Sequence, residues 1–329
     1  MKASVVIPVY NGAKTISNTL HALLEQDFPK SDFEVIVVND GSTDSTAAVV
    51  THFSSVKLIS QPNAGPAVAR NTGVQVALGD IVVFLDADCV PKKNWLSEML
   101  KPFSDPKIVG VQGRYENPIK NLMAEFVQLE IEERYEGMKQ LASIDFIGSY
   151  SAAYRRETFL REGGFDEKFR AASGEDPDLS FRLFDKGHRM VFCENAVVAH
   201  FHPTSLLKYW KTKFFRAFWR VRMYSKNPTK MKGDSYTNPW LKFQIAFILA
   251  ALVSGLILPV ALLAGGDARL VATVALVLLG LAIVCSWPTS FFMLRKNIKV
   301  GLISFGILPV NAFLFAIGII AGLIQKQGV

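Results

Sequence analysis

Three apolar runs close this 329-residue chain and divide it before any other feature is weighed. Residues 240–263, 268–294 and 300–324 are each long enough to cross a bilayer, which takes roughly 20 predominantly apolar residues. Three such runs in succession, parted only by short polar breaks, predict a membrane domain over 240–329 rather than the buried helices of a soluble core. The residues before them mix charged and apolar segments as a water-soluble domain does, and they suffice for a separate folding unit.

The formal charge of +7 is local. Residues 206–242 carry ten Lys or Arg against one Asp, directly before the first run. Basic residues flanking a span mark its cytoplasmic side. Arg295-Lys296-Asn297-Ile298-Lys299 is basic again, and Gly265-Gly266-Asp267 between them is nearly neutral. The expected topology is multi-pass in the cytoplasmic (inner) membrane, with the large domain in the cytoplasm and the carboxyl terminus outside. A nucleic-acid patch is the rival reading of the basic block. Anionic lipid beside the span accounts for it better, so no nucleic-acid partner is expected. Met1-Lys-Ala-Ser runs straight into a strand-like segment, which predicts no secretory leader. Cys89, Cys193 and Cys285 form no spaced pair, as expected in a reducing compartment and not of a zinc site.

Strand-like runs at 4–9, 33–38, 56–60 and 81–85 alternate with helical patterns at 15–26, 45–53 and 67–78. Such alternation predicts a mostly parallel α/β sheet covered by helices. Ile81–Leu85 is apolar throughout, as in a strand buried on both faces. It ends at Asp86-Ala87-Asp88. Ligands of open α/β sheets bind outside the carboxyl ends of the strands. Two carboxylates there suit Mg²⁺ or Mn²⁺ with positions left for substrate phosphates; the bland alternative is an Asp-rich turn. Beyond Asp88 the pattern predicts helices at 91–103, 122–141 and 175–186, and strands at 108–112, 147–155 and 190–200. As a helix, 206–223 sets Leu207, Trp210, Phe214, Phe218 and Val221 on one face and Lys213, Arg216 and Arg220 opposite. That pattern predicts a basic amphipathic interface segment over 206–239, with packing on the soluble domain as the alternative.

Four clusters fall at predicted strand ends or loops: Pro8–Asn11, Asp40–Asp44, Asn63–Arg70 and Asp86–Asp88. With Val6-Ile7-Pro8-Val9-Tyr10-Asn11, Val38-Asn39-Asp40-Gly41-Ser42-Thr43-Asp44, Asn63-Ala64-Gly65-Pro66-Ala67-Val68-Ala69-Arg70-Asn71, Gly163-Gly164-Phe165-Asp166 and Gly174-Glu175-Asp176-Pro177-Asp178, the chain resembles the glycosyltransferase family 2 proteins. The resemblance runs from residue 4 to about 205 and implies the GT-A fold over 1–205. It also implies a nucleotide-diphosphate sugar donor, most often UDP-linked, and a Mn²⁺ or Mg²⁺ cofactor.

Site roles follow from the same resemblance. Pro8, Tyr10 and Asn11 line the nucleotide pocket; Asp40 binds the base; Asn63, Gly65 and Arg70 border the donor. Asp86, with Ala87, faces the ribose or the metal, and Asp88 ligates the metal. Asp176, beside Glu175, is the expected catalytic base; as the N-cap of a helix starting near Pro177 it has a purely structural alternative. His200 and His202 compete as a further metal ligand, and strand alternation puts both on one face. Arg216 and Arg220 correspond to a diphosphate- and acceptor-touching motif of processive polysaccharide synthases, but the Gln of that motif is missing. No span precedes the soluble domain either, which disfavours long-chain synthesis. The expected activity is inverting transfer of one sugar to a lipid or lipid-linked acceptor at the membrane. The rivals are a processive polysaccharide synthase, a polyprenyl-phosphate glycosyltransferase, a nucleotidyltransferase, a transporter, and a membrane scaffold with a vestigial nucleotide fold. The short-looped spans also allow a homo-oligomer.

Overall fold

The computed structural model describes residues 2–169, 174–231 and 233–325. The chain divides into two compact units. One is built from the segment up to Ile119 and from Tyr135–Phe201, the other from Lys120–Arg134 and from His202 onward.

The first unit is organised by one eight-stranded sheet. Its first half is parallel, in the order β3-β2-β1-β4: β1 (Ala3–Val9), β2 (Phe33–Asp40), β3 (Val56–Gln61) and β4 (Ile81–Leu85). Helices α1 (Ile16–Leu24), α2 (Thr46–Thr51) and α3 (Pro66–Gln75) make the crossovers. All five residues of β4 are buried, so a continuous apolar run was required there. Edge strand β3 is only partly covered and carries Lys57.

The second half of the sheet reverses direction. β4 pairs antiparallel with β7 (Ser151–Arg155), β7 antiparallel with β6 (Ile108–Glu116), β6 parallel with β8 (Arg189–His200), and β8 antiparallel with the short β5 (Cys89–Pro91). The helix expected over 91–103 starts later, as α4 (Trp95–Leu100). Pro91 ends a strand instead, and Trp95 is fully buried with its indole N–H donating to Ser151 Oγ at 2.9 Å. This small departure matters, because the pairing of Cys89 with His200 brings the end of β8 alongside the Asp86–Asp88 segment.

In the second unit, α8 (Leu206–Lys226) is followed by α9 (Pro239–Leu263), α10 (Ala268–Val284), α11 (Trp287–Lys296) and α12 (Ile298–Gln325). Three helical stretches, Pro239–Leu263, Ala268–Lys296 and Ile298–Gln325, are long and apolar enough to cross a membrane. The middle one is interrupted between α10 and α11, where Pro288 sits in the first turn of the new helix. Helix α8 approaches α12 closely: a Cβ on Gly318 or Gly322 would stand 2.7 Å from the carbonyl oxygens of Phe214 and Phe218.

Helix α5 (Leu122–Lys139) contributes its residues up to Arg134 to this unit, although its sequence lies inside the expected 1–205 domain. Its carboxylates explain the grouping. Glu125 accepts from Asn297 at 2.7 Å, Glu130 from Lys213 at 2.6 Å, and Glu133 from Asn238 at 2.9 Å and Thr289 at 3.0 Å. The same pairs revise the expected faces of α8. Lys213, placed on the polar face, is buried against Glu130, while Leu207 of the apolar face is 76% exposed.

Candidate active site

Loops at the carboxyl ends of β1, β2 and β4, with the start of α3, enclose a cavity of about 600 Å³. Pro8, Tyr10, Asn11, Asp40, Asn63, Gly65, Arg70, Asp86, Ala87 and Asp88 all line it. Tyr10 stands at its rim, 53% exposed. Asn11 adopts φ +53°, a left-handed conformation that Asn tolerates. Its Oδ1 accepts from the backbone N–H groups of Thr43 (2.8 Å) and Asp44 (3.3 Å), and its own N–H donates to Ser42 Oγ at 2.9 Å. Asn11 therefore ties the β1 loop to the β2 loop.

Asp40 does the same for the entry to α3. Its Oδ1 accepts from Gln61 Nε2 (2.7 Å) and the Ala64 N–H (2.9 Å), and Oδ2 accepts from the Gly65 N–H (2.9 Å). Asn63 Nδ2 donates to the Asp40 carbonyl at 2.9 Å. The residue is 3% exposed. A carboxylate offers about four acceptor positions, so one of Oδ2 remains toward the cavity. Gly65 has φ +97°, which a side chain would resist, and Pro66 then starts the helix.

Arg70 projects from α3 into the network that follows. It is 3% exposed, with Nη2 3.1 Å from Asp86 Oδ1 and Nη1 3.0 Å from Glu175 Oε1. Its guanidinium also lies over the Phe165 ring, 5.6 Å from the centroid. Burial opposes its charge, but Asp86, Asp176 and Glu175 outweigh burial and raise its pKa.

Asp176 is not an N-cap. Helix α7 (Glu175–Asp185) begins one residue earlier, with Gly174 in the cap position. Free of that duty, the carboxylate turns to Ser149: Oδ2 accepts from the Ser149 N–H at 3.0 Å and from Ser149 Oγ at 3.1 Å. Oδ1 is buried and makes no hydrogen bond. Burial and then the neighbouring Glu175 charge push the Asp176 carboxyl up to about 7, against the pull of Arg70 and the Ser149 N–H. Asp178 pairs instead with Arg182, one helical turn on, at 3.0 Å.

Asp88 is the open carboxylate, with its side chain 53% exposed, and its Oδ2 stands 3.7 Å from His200 Nε2. Burial of its carboxyl and the nearby Asp86 raise its pKa, while His200 lowers it. The His200 ring lies 4.5 Å from that of Tyr115, which stacks on Tyr150 at 3.7 Å. Strand alternation fails to pair the two histidines because β8 ends at His200. His202 follows in the second unit, 4% exposed, its Nε2 2.9 Å from Gln128 Oε1. Among the described residues no three His, Cys, Asp or Glu side chains form a metal cage. A carboxylate and an imidazole beside this cavity instead suit an ion that takes its remaining ligands from substrate and water.

Arg216 and Arg220 lie on α8 in the second unit, where the Arg220 guanidinium covers the Tyr236 ring at 4.7 Å. Sequence reasoning missed Ser149 and Gln61. Neither stands in a motif, and both act by holding a carboxylate that does.

Residues 4–163 match the family model for glycosyl transferase family 2. The chain is 33% identical over 222 residues to the pre-mycofactocin glycosyltransferase of Mycobacterium tuberculosis, covering 64% of this chain and 45% of that one. It is 31% identical over 206 residues to the glycosyltransferase AglE of Haloferax volcanii, covering 60% and 66%. The chain thus spans about half to two thirds of the length of these curated relatives. Its fold matches that of the mannosyltransferase PcManGT from Pyrobaculum calidifontis, solved with GDP-Man and Mn²⁺. The TM-score is 0.63 at 22% identity, over 99% of this chain and 87% of that one.

Proposed function

We propose, from the chain's membership of glycosyltransferase family 2, that it transfers one sugar from a nucleotide-diphosphate sugar to a hydroxyl of a lipid or lipid-linked acceptor, with inversion at the anomeric carbon. The observation that carries this reading is the Asp176 carboxylate, partly buried with one oxygen unsatisfied, and pushed up to about 7 inside the Arg70–Glu175–Asp86 network. A general base works best when its pKa is near the operating pH. Asp176 Oδ1 takes the acceptor's proton as the acceptor oxygen bonds to the anomeric carbon. The bond from that carbon to the diphosphate breaks, and the nucleoside diphosphate leaves with the electron pair. Ser149 keeps Oδ2 occupied, so only Oδ1 turns toward the acceptor.

Asp40 offers its remaining Oδ2 position to a base N–H, and the wall from Pro8 to Asn11 holds the nucleoside. Arg70 aligns Asp86 beside the donor. Asp88 and His200 would hold a Mn²⁺ or Mg²⁺, which when bound offsets the negative charge of the diphosphate. UDP is the expected nucleotide. The three apolar helices fit anchorage in the cytoplasmic membrane with the first unit in the cytoplasm, where a lipid-borne acceptor is met.

Calorimetric titration of the detergent-purified chain with UDP and with GDP, each with Mn²⁺ and with chelator, tests the donor half. We expect metal-dependent UDP binding that Asp88→Ala weakens at least about tenfold, one lost charge-assisted contact being worth that much. GDP preference would redirect the search to GDP-sugars. Binding of neither nucleotide would defeat the donor reading.

A further inference from the structure

In the second unit three arginines converge on one tyrosine. The guanidinium of Arg134 lies 4.4 Å from the centroid of the Tyr236 ring and that of Arg220 lies 4.7 Å from it. The Arg216 charge acts on the same phenol. Among the described residues none of the three pairs with a carboxylate. The acids nearby are already taken: Glu130 by Lys213 at 2.6 Å, Asp234 by Lys242 at 2.9 Å, and Glu133 by Asn238 and Thr289. Arg220 donates to Thr237 Oγ1 at 3.2 Å and to the Tyr236 phenol oxygen, not to a carboxylate. Burial works to raise the Tyr236 phenol, yet Arg220, Arg216 and Arg134 together draw it down to about 7. A phenol with that much positive charge around it marks a place where an anion is welcome.

Guanidinium groups repel one another, and among the described residues no carboxylate pairs directly with any of these three; Asp234 acts on Arg220, and Glu130 and Glu133 on Arg134, without a salt bridge between them. Each of the three is a planar fork of donors that matches phosphate oxygens, and Tyr236 adds a hydroxyl. The cluster lies just ahead of α9, the first helix able to cross a membrane, on a segment rich in Lys and Arg. Phosphate borne by lipid is the anion concentrated at such a level. We infer that Arg134, Arg216, Arg220 and Tyr236 form a binding site for the phosphate group of a membrane lipid. The site is separate from the donor cavity, none of whose lining residues it shares.

Two sources carry this chemistry, a phospholipid headgroup and free phosphate, and one experiment separates them. The full chain in neutral detergent is titrated with phosphatidylglycerol and, in parallel, with inorganic phosphate, bound species being counted by native mass spectrometry. Phosphatidylcholine serves as the zwitterionic control. Phosphatidylglycerol is expected to bind, and Arg216→Gln, at an exposed position, to weaken it about tenfold, as does Arg134→Gln. Arg216→Lys keeps a charge but loses the fork, and should recover only part of that loss. Inorganic phosphate binding with the same variant dependence, and displacing the lipid at equal concentration, would assign the site to soluble phosphates. Phosphatidylglycerol binding unchanged in both glutamine variants, each folded by its melting temperature, would overturn the inference. Because nucleotide titration is read separately, failure here leaves the donor reading standing, and the reverse holds too.

Discussion

Asp40, the last residue of β2, and Asp176, in the first turn of α7, are the same side chain, and the fold treats them oppositely. Asp40 is surrounded by donors: Gln61 and two backbone N–H groups satisfy it and fix the turn that starts α3. Asp176 receives donors on one oxygen only, both from Ser149, and its other oxygen is buried with none. A carboxylate whose acceptor positions are filled by several N–H groups holds those groups in place and serves structure. One that is half-supplied and crowded by Glu175, with its free oxygen buried, holds its proton more tightly and can exchange it near neutral pH. The difference separates a residue that shapes a pocket from one equipped for proton transfer.

The comparison breaks first on Asp176→Asn. We expect kcat to fall by about 10³-fold, the usual range for a general base, with nucleotide binding by calorimetry unchanged. In the parent, kcat/KM should fall as pH drops through about 7, and the variant's residual rate should lack that limb. Stability should move the other way. The folded pKa is raised above the unfolded value, so the native state binds the proton more tightly. The stabilisation from the neutral carboxyl is complete below about pH 4 and is lost as pH rises through about 7. Asp176→Asn should therefore melt higher than the parent at pH 8, and the gap should close at pH 4. A parent that melts no lower than the variant at pH 8 would refute the raised pKa.

Asp40→Ala tests the other side. It strands the partly buried Ala64 N–H and the buried Gly65 N–H, which should cost roughly 2 to 4 kcal/mol by urea unfolding. Donor affinity should fall with it, since the same loop walls the cavity. A loss of affinity at full stability would mean that Asp40 acts on the base alone.

Much of this contrast could be read from the sequence, because turn chemistry and buried strands act locally. Ile81–Leu85 had to be a central strand, and the Asp, Asn and Gly clusters had to close parallel β-α units. The three apolar runs emerged as helices for the same reason: their length and composition act within each run. What was hidden is non-local. Strand β5 is too short to show a period, and only its pairing with β8 fixes where His200 stands. His202 looked equivalent because alternation holds only while a strand lasts. Lys213 looked like a polar-face residue until Glu130, 83 positions away in sequence, supplied its partner. Ser149 had no signature at all.

Ser149 gives the finest test of the two carboxylates. Its hydroxyl donates to Asp176 Oδ2 at 3.1 Å beside its own backbone N–H at 3.0 Å, and both bonds favour the ionised form. Ser149→Ala removes one donor and keeps the other. The carboxyl should then hold its proton more tightly still, and the acid limb of kcat/KM should move up by about one pH unit, as a hydrogen bond to a charged group is worth that much. At pH 7 the rate should drop severalfold and recover toward the parent's at pH 9. Ser149→Thr, which restores a hydroxyl, should return the midpoint. A purely structural role would lower the rate equally at every pH, leave the midpoint where it was, and make Asp176 as indifferent to its supply of donors as Asp40 is expected to be dependent on giving them an acceptor.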